Sequence, residues 1–399
     1  MQLASNKKIH KLAGNINIEK NINKIFDNNI CEFLYELSDQ ILKNQDAKKY
    51  ADLITFAFWI RKKNLFRIIN KYDNNEIRLG YGLAFHITPA NVALNFAYSF
   101  TFSLLAGNSN IIRVTNTKYK QNEIFFKIIE KIFNKKKFSN IKKSNLFIKY
   151  DYDEDITKFI SSGCDCRVIW GSDKTVNEIK KIPTQTGCKE LVFPDRYSLS
   201  LINLNNLSKL KKKDYAELAK KFYLDALMFD QNACSSPHLI IWFGKKDKNS
   251  YDKFWNCLNL AIKEGKYFIP NEKNMFDRYT KFCEFAAKRK EIKESINDKF
   301  AYRMILSKIP KDITIFRVGF GYFFEYFIKD LKEIRNNIGS KIQTLTYFGF
   351  NTSDLKNFIY KEKPHGIDRI VPVGQALEFS ELWDGYDLIR NLSKIIDIR

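Results

Sequence analysis

Gly82-Leu83-Ala84-Phe85-His86-Ile87-Thr88-Pro89-Ala90-Asn91 runs on through an apolar stretch into Leu105-Ala106-Gly107-Asn108-Ser109-Asn110-Ile111-Ile112-Arg113. A short apolar strand meets a turn containing proline; a helix follows, then a Gly-Asn turn and a second apolar strand. That order is one βαβ unit, two parallel strands joined by a crossover helix. The pattern continues in both directions. Strands are expected at Leu83–Ile87, Ile111–Val114, Leu146–Tyr150, Arg167–Trp170 and Leu191–Phe193, with helices at Val92–Leu105, Glu123–Phe133, Asp155–Ile160 and Thr175–Lys180. Strands alternating with helices of this length predict an α/β fold whose parallel sheet is covered on both faces. Ligands of such sheets bind beyond the carboxyl ends of the strands. Upstream, residues 20–75 read as helices, with Ile30, Phe33, Leu34 and Leu37 on one face and Leu53, Phe56 and Ile60 on another.

The second informative stretch is Asp230-Gln231-Asn232-Ala233-Cys234-Ser235-Ser236-Pro237-His238. An apolar-faced helical run precedes it (Tyr215, Leu218, Ala219, Phe222, Ala226, Phe229) and a strand-like run, Leu239 to Phe243, follows. A cysteine in a polar, small-residue loop between helix and strand is reachable by solvent and close to backbone N–H donors. Those donors favour thiolate, the nucleophilic form. The plainer reading is a buried structural cysteine. His238 falls within the following strand, and His86 reads as a packed strand residue.

The βαβ stretch resembles the coenzyme domain of the aldehyde dehydrogenase superfamily, and the helix–loop–Cys–strand resembles that superfamily's catalytic cysteine. Lys341-Ile342-Gln343-Thr344-Leu345-Thr346-Tyr347-Phe348-Gly349, His365-Gly366-Ile367-Asp368-Arg369-Ile370-Val371-Pro372-Val373-Gly374 and Trp383-Asp384-Gly385-Tyr386-Asp387-Leu388-Ile389 resemble LuxC-type acyl-CoA reductases. Phe58-Trp59-Ile60-Arg61-Lys62-Lys63-Asn64-Leu65 fits the same family, so the similarity runs from about Phe33 to the last residues. It implies an aldehyde dehydrogenase-like fold: N-terminal helices and an NADP-binding Rossmann-type domain over 1–205, a catalytic cysteine domain over 206–364, and a C-terminal segment, 365–399, suited to subunit contacts in a homo-oligomer. The Asn- and Lys-rich stretch from Asn203 to Asp214 is the expected junction. In the final segment a strand is expected at Arg369–Val373, then an amphipathic helix carrying Leu388, Leu392 and Ile395.

The same resemblance assigns roles. Thr88 and Pro89 lie beside the nicotinamide ribose. Arg113 takes the place of the basic residue on the adenosine ribose, with Thr115 and Asn116 beyond it. NAD-preferring members place a Glu where Asn116 stands. A carboxylate there repels a 2′-phosphate and an amide tolerates one, so NADPH is the expected cofactor. Trp170-Gly171-Ser172-Asp173-Lys174-Thr175 matches the Gly-Ser turn whose backbone N–H groups face the pyrophosphate; Ser172 and Asp173 are also ordinary helix caps. Cys234 is the nucleophile, and Asn91 the side-chain amide of the oxyanion hole or a helix N-cap. The general-base Glu of hydrolytic members falls near Val192 to Asp195, where this chain has none; Glu190 is offset by about two residues. Gly319-Phe320-Gly321 reads as a turn.

Composition agrees with a globular protein. The chain has 399 residues, enough for two cores. The longest apolar run, Val92 to Ala106, is interrupted by Asn95, Ser99, Thr101 and Ser103 and is shorter than the ~18 residues of a membrane span. A signal-peptide pattern is absent from the N-terminal stretch, and a cytoplasmic protein is expected. Seven scattered cysteines predict no disulfide framework, and Cys164-Asp165-Cys166 is too tightly spaced for zinc, so no metal is expected. Net charge is +22, with short runs at Lys135-Lys136-Lys137 and Lys211-Lys212-Lys213. This is a solvated basic surface, or one that attracts acidic partners such as coenzyme A phosphates or an acidic carrier protein. No recognition helix or aromatic platform points to nucleic acid. The resulting expectation is NADPH-dependent reduction of an acyl-CoA or acyl-carrier thioester to an aldehyde through a Cys234 acyl-enzyme. The alternatives are an aldehyde dehydrogenase using NAD(P), and a cysteine acyl-carrier subunit working with an acyl-protein synthetase.

Overall fold

A computed structural model describes residues 8–72, 75–265, 272–297, 300–335 and 338–399. The chain divides into two compact units, 1–194 with 379–399, and 195–378. The first unit contains β1 (His10–Gly14), α1 (Asn28–Lys43), α2 (Ala51–Trp59), α3 (Lys62–Ile69), β2 (Arg78–Gly80), β3 (Leu83–Ile87), α4 (Asn95–Leu105), β4 (Ser109–Arg113), α5 (Lys120–Phe133), α6 (Ser139–Lys143), β5 (Asn145–Lys149), α7 (Glu154–Ser162), β6 (Cys166–Trp170), α8 (Asp173–Lys180) and β7 (Lys189–Phe193). Its sheet runs β1-β5-β4-β3-β6-β7. All pairings are parallel except β1 on β5, an antiparallel edge that the sequence pattern does not announce. Every residue of β3 and β6 is buried, as strands covered on both faces require. Under one face Phe96, Phe125, Phe126 and Phe147 pack edge-to-face or stacked, with centroids 5.2–6.2 Å apart.

The second unit contains β8 (Tyr197–Asn203), α9 (Leu204–Leu207), α10 (Lys212–Leu227), β9 (Pro237–Phe243), α11 (Lys248–Glu264), α12 (Glu272–Lys288), β10 (Ile292–Asn297), β11 (Tyr302–Leu306), β12 (Tyr322–Ile328), α13 (Lys332–Arg335), β13 (Ile342–Phe348), α14 (Thr352–Glu362) and β14 (Arg369–Pro372). Its sheet order is β10-β11-β12-β9-β8-β13-β14, parallel apart from β10. Two apolar cores cover its faces. Between β12 and the covering helices sits a buried carboxylate, Glu325, that is fully engaged. Trp242 Nε1 (2.7 Å), Trp255 Nε1 (3.2 Å), Tyr251 Oη (2.9 Å) and Arg303 Nε (3.0 Å) all donate to it. A buried charge is tolerable only when paired and hydrogen-bonded in this way.

Two expected boundaries are displaced. The crossing between units lies at Pro194–Asp195, not at 205–206. The Asn-rich stretch is no linker: Asn203 closes β8 and caps α9, and the Asn203 and Asn206 amides hold Gly349 O at 3.1 and 2.6 Å. The C-terminal segment also splits, since 365–378 stays with the second unit while 379–399 returns to the first. Phe379 drives the return. Its ring stacks on Trp383 (4.1 Å) and packs on Tyr98 (4.7 Å), Phe102 (5.7 Å) and Trp170 (6.3 Å). Beyond it come β15 (Leu382–Trp383), β16 (Tyr386–Asp387), α15 (Leu388–Asn391) and β17 (Ser393–Ile395). The amphipathic helix expected through Ile395 therefore lasts one turn. The edge strand β2 offers unpaired backbone groups, and Ser393–Ile395 pairs with it antiparallel.

Candidate active site

In the first unit, β4, β3 and β6 are neighbours whose carboxyl ends carry the turns expected to hold the coenzyme. Thr88 ties two of them together: its N and Oγ1 both donate to Arg113 O, at 3.3 and 2.9 Å. The Arg113 guanidinium lies over the Tyr150 ring, 4.7 Å from its centroid. Thr115 Oγ1 accepts from Thr117 N at 3.2 Å, closing a small turn. Asn116 Nδ2 donates to Asp151 Oδ1 at 2.6 Å, and Lys149 Nζ to Asn116 O at 3.2 Å. Asp151, just past β5, thus puts a carboxylate beside the very position where the sequence shows an amide. Sequence reasoning missed it because the neighbour comes from another strand, 35 residues away.

Ser172 caps α8, its Oγ accepting from Thr175 N at 3.2 Å and meeting Thr175 Oγ1 at 3.0 Å. A Cβ on Gly171 would lie 3.1 Å from two Thr175 side-chain carbons, so a larger residue there requires the Thr175 side chain to give by a few tenths of an ångström. Pro89 is partly buried and Asn91 exposed. Asn91 is not the helix N-cap: α4 begins at Asn95, with Leu94 at the cap. The loop before it is pinned by Tyr119 Oη donating to Ala90 O at 2.6 Å.

His86 is a packed residue. Trp170 Nε1 donates to Ser99 Oγ (3.0 Å), Ser99 Oγ meets His86 Nδ1 (2.7 Å), and His86 Nε2 meets Asn110 Oδ1 (3.1 Å). The acceptor on Nε2 selects the neutral Nε2–H tautomer, and burial pushes its pKa down to about 4. Glu190, the offset carboxylate, is also engaged. Arg167, 1% exposed, reaches it with Nε at 2.7 Å and Nη2 at 2.6 Å.

The second unit holds Cys234 in the loop between α10 and β9. Asp230 and Gln231 take left-handed conformations, φ 52° and 59°. Gln231 is buried and makes four bonds with one side chain. Its Nε2 donates to Pro237 O (3.2 Å) and Tyr322 O (3.1 Å), and its Oε1 accepts from Gly321 N (2.8 Å) and Tyr322 N (3.1 Å). The Gly319-Phe320-Gly321 turn, all three at positive φ, completes the clamp through Phe320 N on Asp230 O at 3.1 Å. Glycine at Gly319 and Gly321 makes that run of left-handed backbone accessible.

Cys234 itself is partly exposed. Ser198 Oγ donates to its carbonyl at 2.7 Å and accepts from Thr344 N at 3.2 Å. Gln343 Nε2 donates to Cys234 Sγ at 3.2 Å, while Thr344 Oγ1 holds Gln343 Oε1 at 3.2 Å. Arg369, opposite Thr344 on β14, interacts electrostatically with both Asp225 and Cys234. Its guanidinium donates to Ala376, Gln375 and Glu378 carbonyls at 2.6–2.8 Å. Asp225, pushed up to about 7 by burial, receives Gly374 N and Ala376 N at 2.6 and 2.9 Å. Gln343 and Arg369 were legible only as parts of family-like stretches; nothing in their spacing from Cys234 signals contact. His238 is no base: it is buried, its Nδ1 has no hydrogen-bond partner among the described residues, and burial pushes its pKa down to about 3. Asp230 is pushed up to about 6 by burial.

Among the described residues no group of three or more metal-ligating side chains could hold a metal ion, and no helix is long and apolar enough to cross a membrane. Residues 61–396 match the family model described as acyl-CoA reductase (LuxC). No curated protein matches. Solved structures with a similar fold include lactaldehyde dehydrogenase from Escherichia coli, 12% identical, covering 92% of this chain and 84% of that one, TM-score 0.59. Betaine aldehyde dehydrogenase from Staphylococcus aureus is 14% identical over 92% and 82%, TM-score 0.64. Aldehyde dehydrogenase 21 from Physcomitrella patens, solved with succinate, is 11% identical over 92% and 85%, TM-score 0.62. The fold is therefore that of the aldehyde dehydrogenases.

Proposed function

The chain belongs to the LuxC family of acyl-CoA reductases, and from that premise we propose that it reduces an acyl thioester to an aldehyde through an acyl-enzyme on Cys234. The observation that carries this reading is the amide N–H of Gln343 placed 3.2 Å from Cys234 Sγ. A neutral donor on sulfur favours thiolate over thiol. The thiolate attacks the thioester carbonyl carbon. The bond to the departing thiol breaks, and the acyl group stays on Cys234. Asn91 is proposed to donate to the carbonyl oxygen as it gains charge, a role worth about 2.7–4 kcal/mol of barrier. A bound nicotinamide supplies the hydride that converts the acyl carbon to the aldehyde level. Collapse of the resulting thiohemiacetal breaks the Cys234 C–S bond, releases aldehyde and regenerates the thiolate.

The coenzyme is proposed to lie on Thr88, Pro89, Arg113, Thr115, Asn116, Gly171, Ser172 and Thr175. NADPH remains our choice: Arg113 and Lys149 flank the Asn116 turn, and the Asp151 carboxylate there is occupied by the Asn116 amide. Asp151 opposes a 2′-phosphate, so Asp151→Asn should tighten NADPH relative to NADH, and Arg113→Ala should weaken it. An aldehyde dehydrogenase that hydrolyses its acyl-enzyme needs a carboxylate that activates water. Glu190 is held by Arg167, which favours reduction.

The test is an assay of NADPH consumption with a panel of acyl-CoAs, coupled to mass spectrometry of the trapped enzyme. Aldehyde matched to thiol release, with the acyl group on Cys234, is expected. Rapid NADP⁺-dependent conversion of aldehyde to free acid without coenzyme A would replace this reading with the oxidative one. Acylation without any reduction would replace it with an acyl-carrier subunit, acting beside an acyl-protein synthetase.

A further inference from the structure

In the first unit two more thiols face each other. Cys164 Sγ and Cys188 Sγ are 3.8 Å apart. Cys164 lies in the turn between α7 and β6, and Cys188 immediately before β7, so the pair bridges the amino ends of two neighbouring parallel strands. Cys188 is partly exposed; Cys164 is fully buried, its Sγ also 3.2 Å from Ser161 O. The asymmetry is that of an attacking and a resolving thiol: one sulfur meets solvent, the other waits behind it. We propose that Cys164 and Cys188 form a reversible disulfide on exposure to a hydroperoxide.

The chemistry balances within the pair. The Cys188 thiolate attacks a peroxide oxygen, the O–O bond breaks, and the departing oxyanion takes a proton. Cys188 is then a sulfenic acid. The Cys164 sulfur attacks the Cys188 sulfur, the S–O bond breaks, and hydroxide leaves as water with the Cys164 proton. Two electrons pass from the two thiols to the peroxide. The sulfurs must close from 3.8 Å to about 2.05 Å. The Cys164 hydrogen bond, outweighing burial and helped by Thr184 and the Arg167 guanidinium, holds the Cys188 thiol below its ordinary range, which raises the fraction of attacking thiolate. Oxidation would tie off the segment carrying β6, the Gly171-Ser172 turn and α8.

The experiment treats the full chain with hydrogen peroxide, blocks remaining thiols, digests with trypsin and reads the peptides by mass spectrometry. A cross-link joining Phe159–Arg167 to Ile182–Lys189, reversed by dithiothreitol, is expected. Because the first peptide also contains Cys166, Cys166→Ser should leave the cross-link intact and Cys164→Ser should abolish it. In Cys164→Ser the stranded sulfenic acid should become trappable with dimedone at Cys188. Persistence of the cross-link in Cys164→Ser overturns the proposal. So does oxidation of wild-type protein at Cys234 and Cys283 with Cys188 unaltered. Neither readout depends on acyl-thioester reduction, so it stands or falls apart from that function.

Discussion

The turns proposed to hold the coenzyme hang from the carboxyl ends of β3, β4 and β6 in the first unit, whereas Cys234 enters the second unit at the amino end of β9. Ser198, Gln343 and Arg369 likewise sit at the starts of their strands. The consequences differ. At a carboxyl end the turn faces outward, and its residues bond to each other: Thr88 to Arg113, Ser172 to Thr175, Asn116 to Asp151. Around the cysteine the loop is partly buried. Asp230 Oδ1, Ser236 Oγ and His238 Nδ1 have no partner among the described residues, while its buried backbone groups are met by side chains such as Ser198 and Gln231. Gln231 alone makes four such bonds. Substitutions in the first unit's turns should therefore change ligand binding with little loss of fold. Substitutions around the cysteine should damage the fold and the chemistry together.

The largest effect belongs to the nucleophile, and it separates chemistry from fold within the second unit. Cys234→Ala should reduce covalent acylation and reduction to background, while urea denaturation moves little, because a partly exposed sulfur is a minor part of the core. Next is the clamp. Gln231→Leu strands Gly321 N and takes one partner each from the Pro237 and Tyr322 carbonyls and from Tyr322 N, which keeps Gly319 O at 3.2 Å. A buried group left without a partner costs about 1–3 kcal/mol. A loss of about 2 kcal/mol or more in unfolding free energy, read as a lower urea midpoint, is expected. Gln231→Glu should recover part of it through the two N–H donors. An unchanged midpoint in Gln231→Leu would mean that the loop is not held as the comparison requires.

The two buried histidines sharpen the contrast. His86 has both ring nitrogens partnered, while His238 has a lone Nδ1 among the described residues. Both have folded values below the ordinary 6.5, about 4 and about 3. As the pH falls below 6.5 the unfolded chain takes up protons before the folded one does. Stability is thus present above 6.5 and is lost down toward 3–4. At ~1.4 kcal/mol per pH unit, His86 contributes about 3.5 kcal/mol and His238 about 5 kcal/mol to that acid limb. His238→Leu should flatten it, removing the unpartnered Nδ1 together with the ring's hydrogen bond to the Gln231 backbone. His86→Leu should flatten it too, but lower stability at pH 8 by leaving Ser99 and Asn110 without their partner. Equal behaviour of the two variants at pH 8 would erase the distinction.

A smaller change tests the donor on sulfur. A hydrogen bond to a charged group contributes about 1.5–3 kcal/mol, so Gln343→Leu should slow iodoacetamide alkylation of Cys234 about tenfold at neutral pH. The rate–pH profile should move to higher pH. A uniform drop without that movement would show a loss of access and not of thiolate.

The parallel strands of the first unit were legible because each is a short apolar run bounded by turn residues, and Leu83–Ile87 falls on its expected residues. The antiparallel edge β1 was not, because His10–Gly14 gains its meaning only from β5, far along the chain. The candidate site divides in the same way. Thr88, Ser172 and Cys234 stand in turns that local chemistry shapes, and Arg113 ends the apolar strand β4. Gln343, Arg369 and Asp151 act on residues 109, 135 and 35 positions away (343 − 234, 369 − 234, 151 − 116), and only the sheet order brings them together. The failed C-terminal helix shows the converse. Leu388 and Leu392 keep helical spacing and are buried, yet the open edge of β2 takes the residues that follow.

The smallest effect is expected at Ser172, and it decides whether the first unit's turns serve ligand or fold. As a cap, Ser172 satisfies one N–H of an eight-residue helix, and Ser172→Ala should lower stability by about 1 kcal/mol. The same substitution leaves the backbone N–H groups of the turn in place. If those groups hold the pyrophosphate, NADPH affinity should fall by a small factor only, and Ser172→Asp, which keeps the cap but adds a negative charge, should weaken NADPH far more than it weakens the fold. Isothermal titration beside urea denaturation reads both quantities on one sample. Unimpaired NADPH binding in Ser172→Asp would remove this turn from the coenzyme site and leave it a helix cap alone.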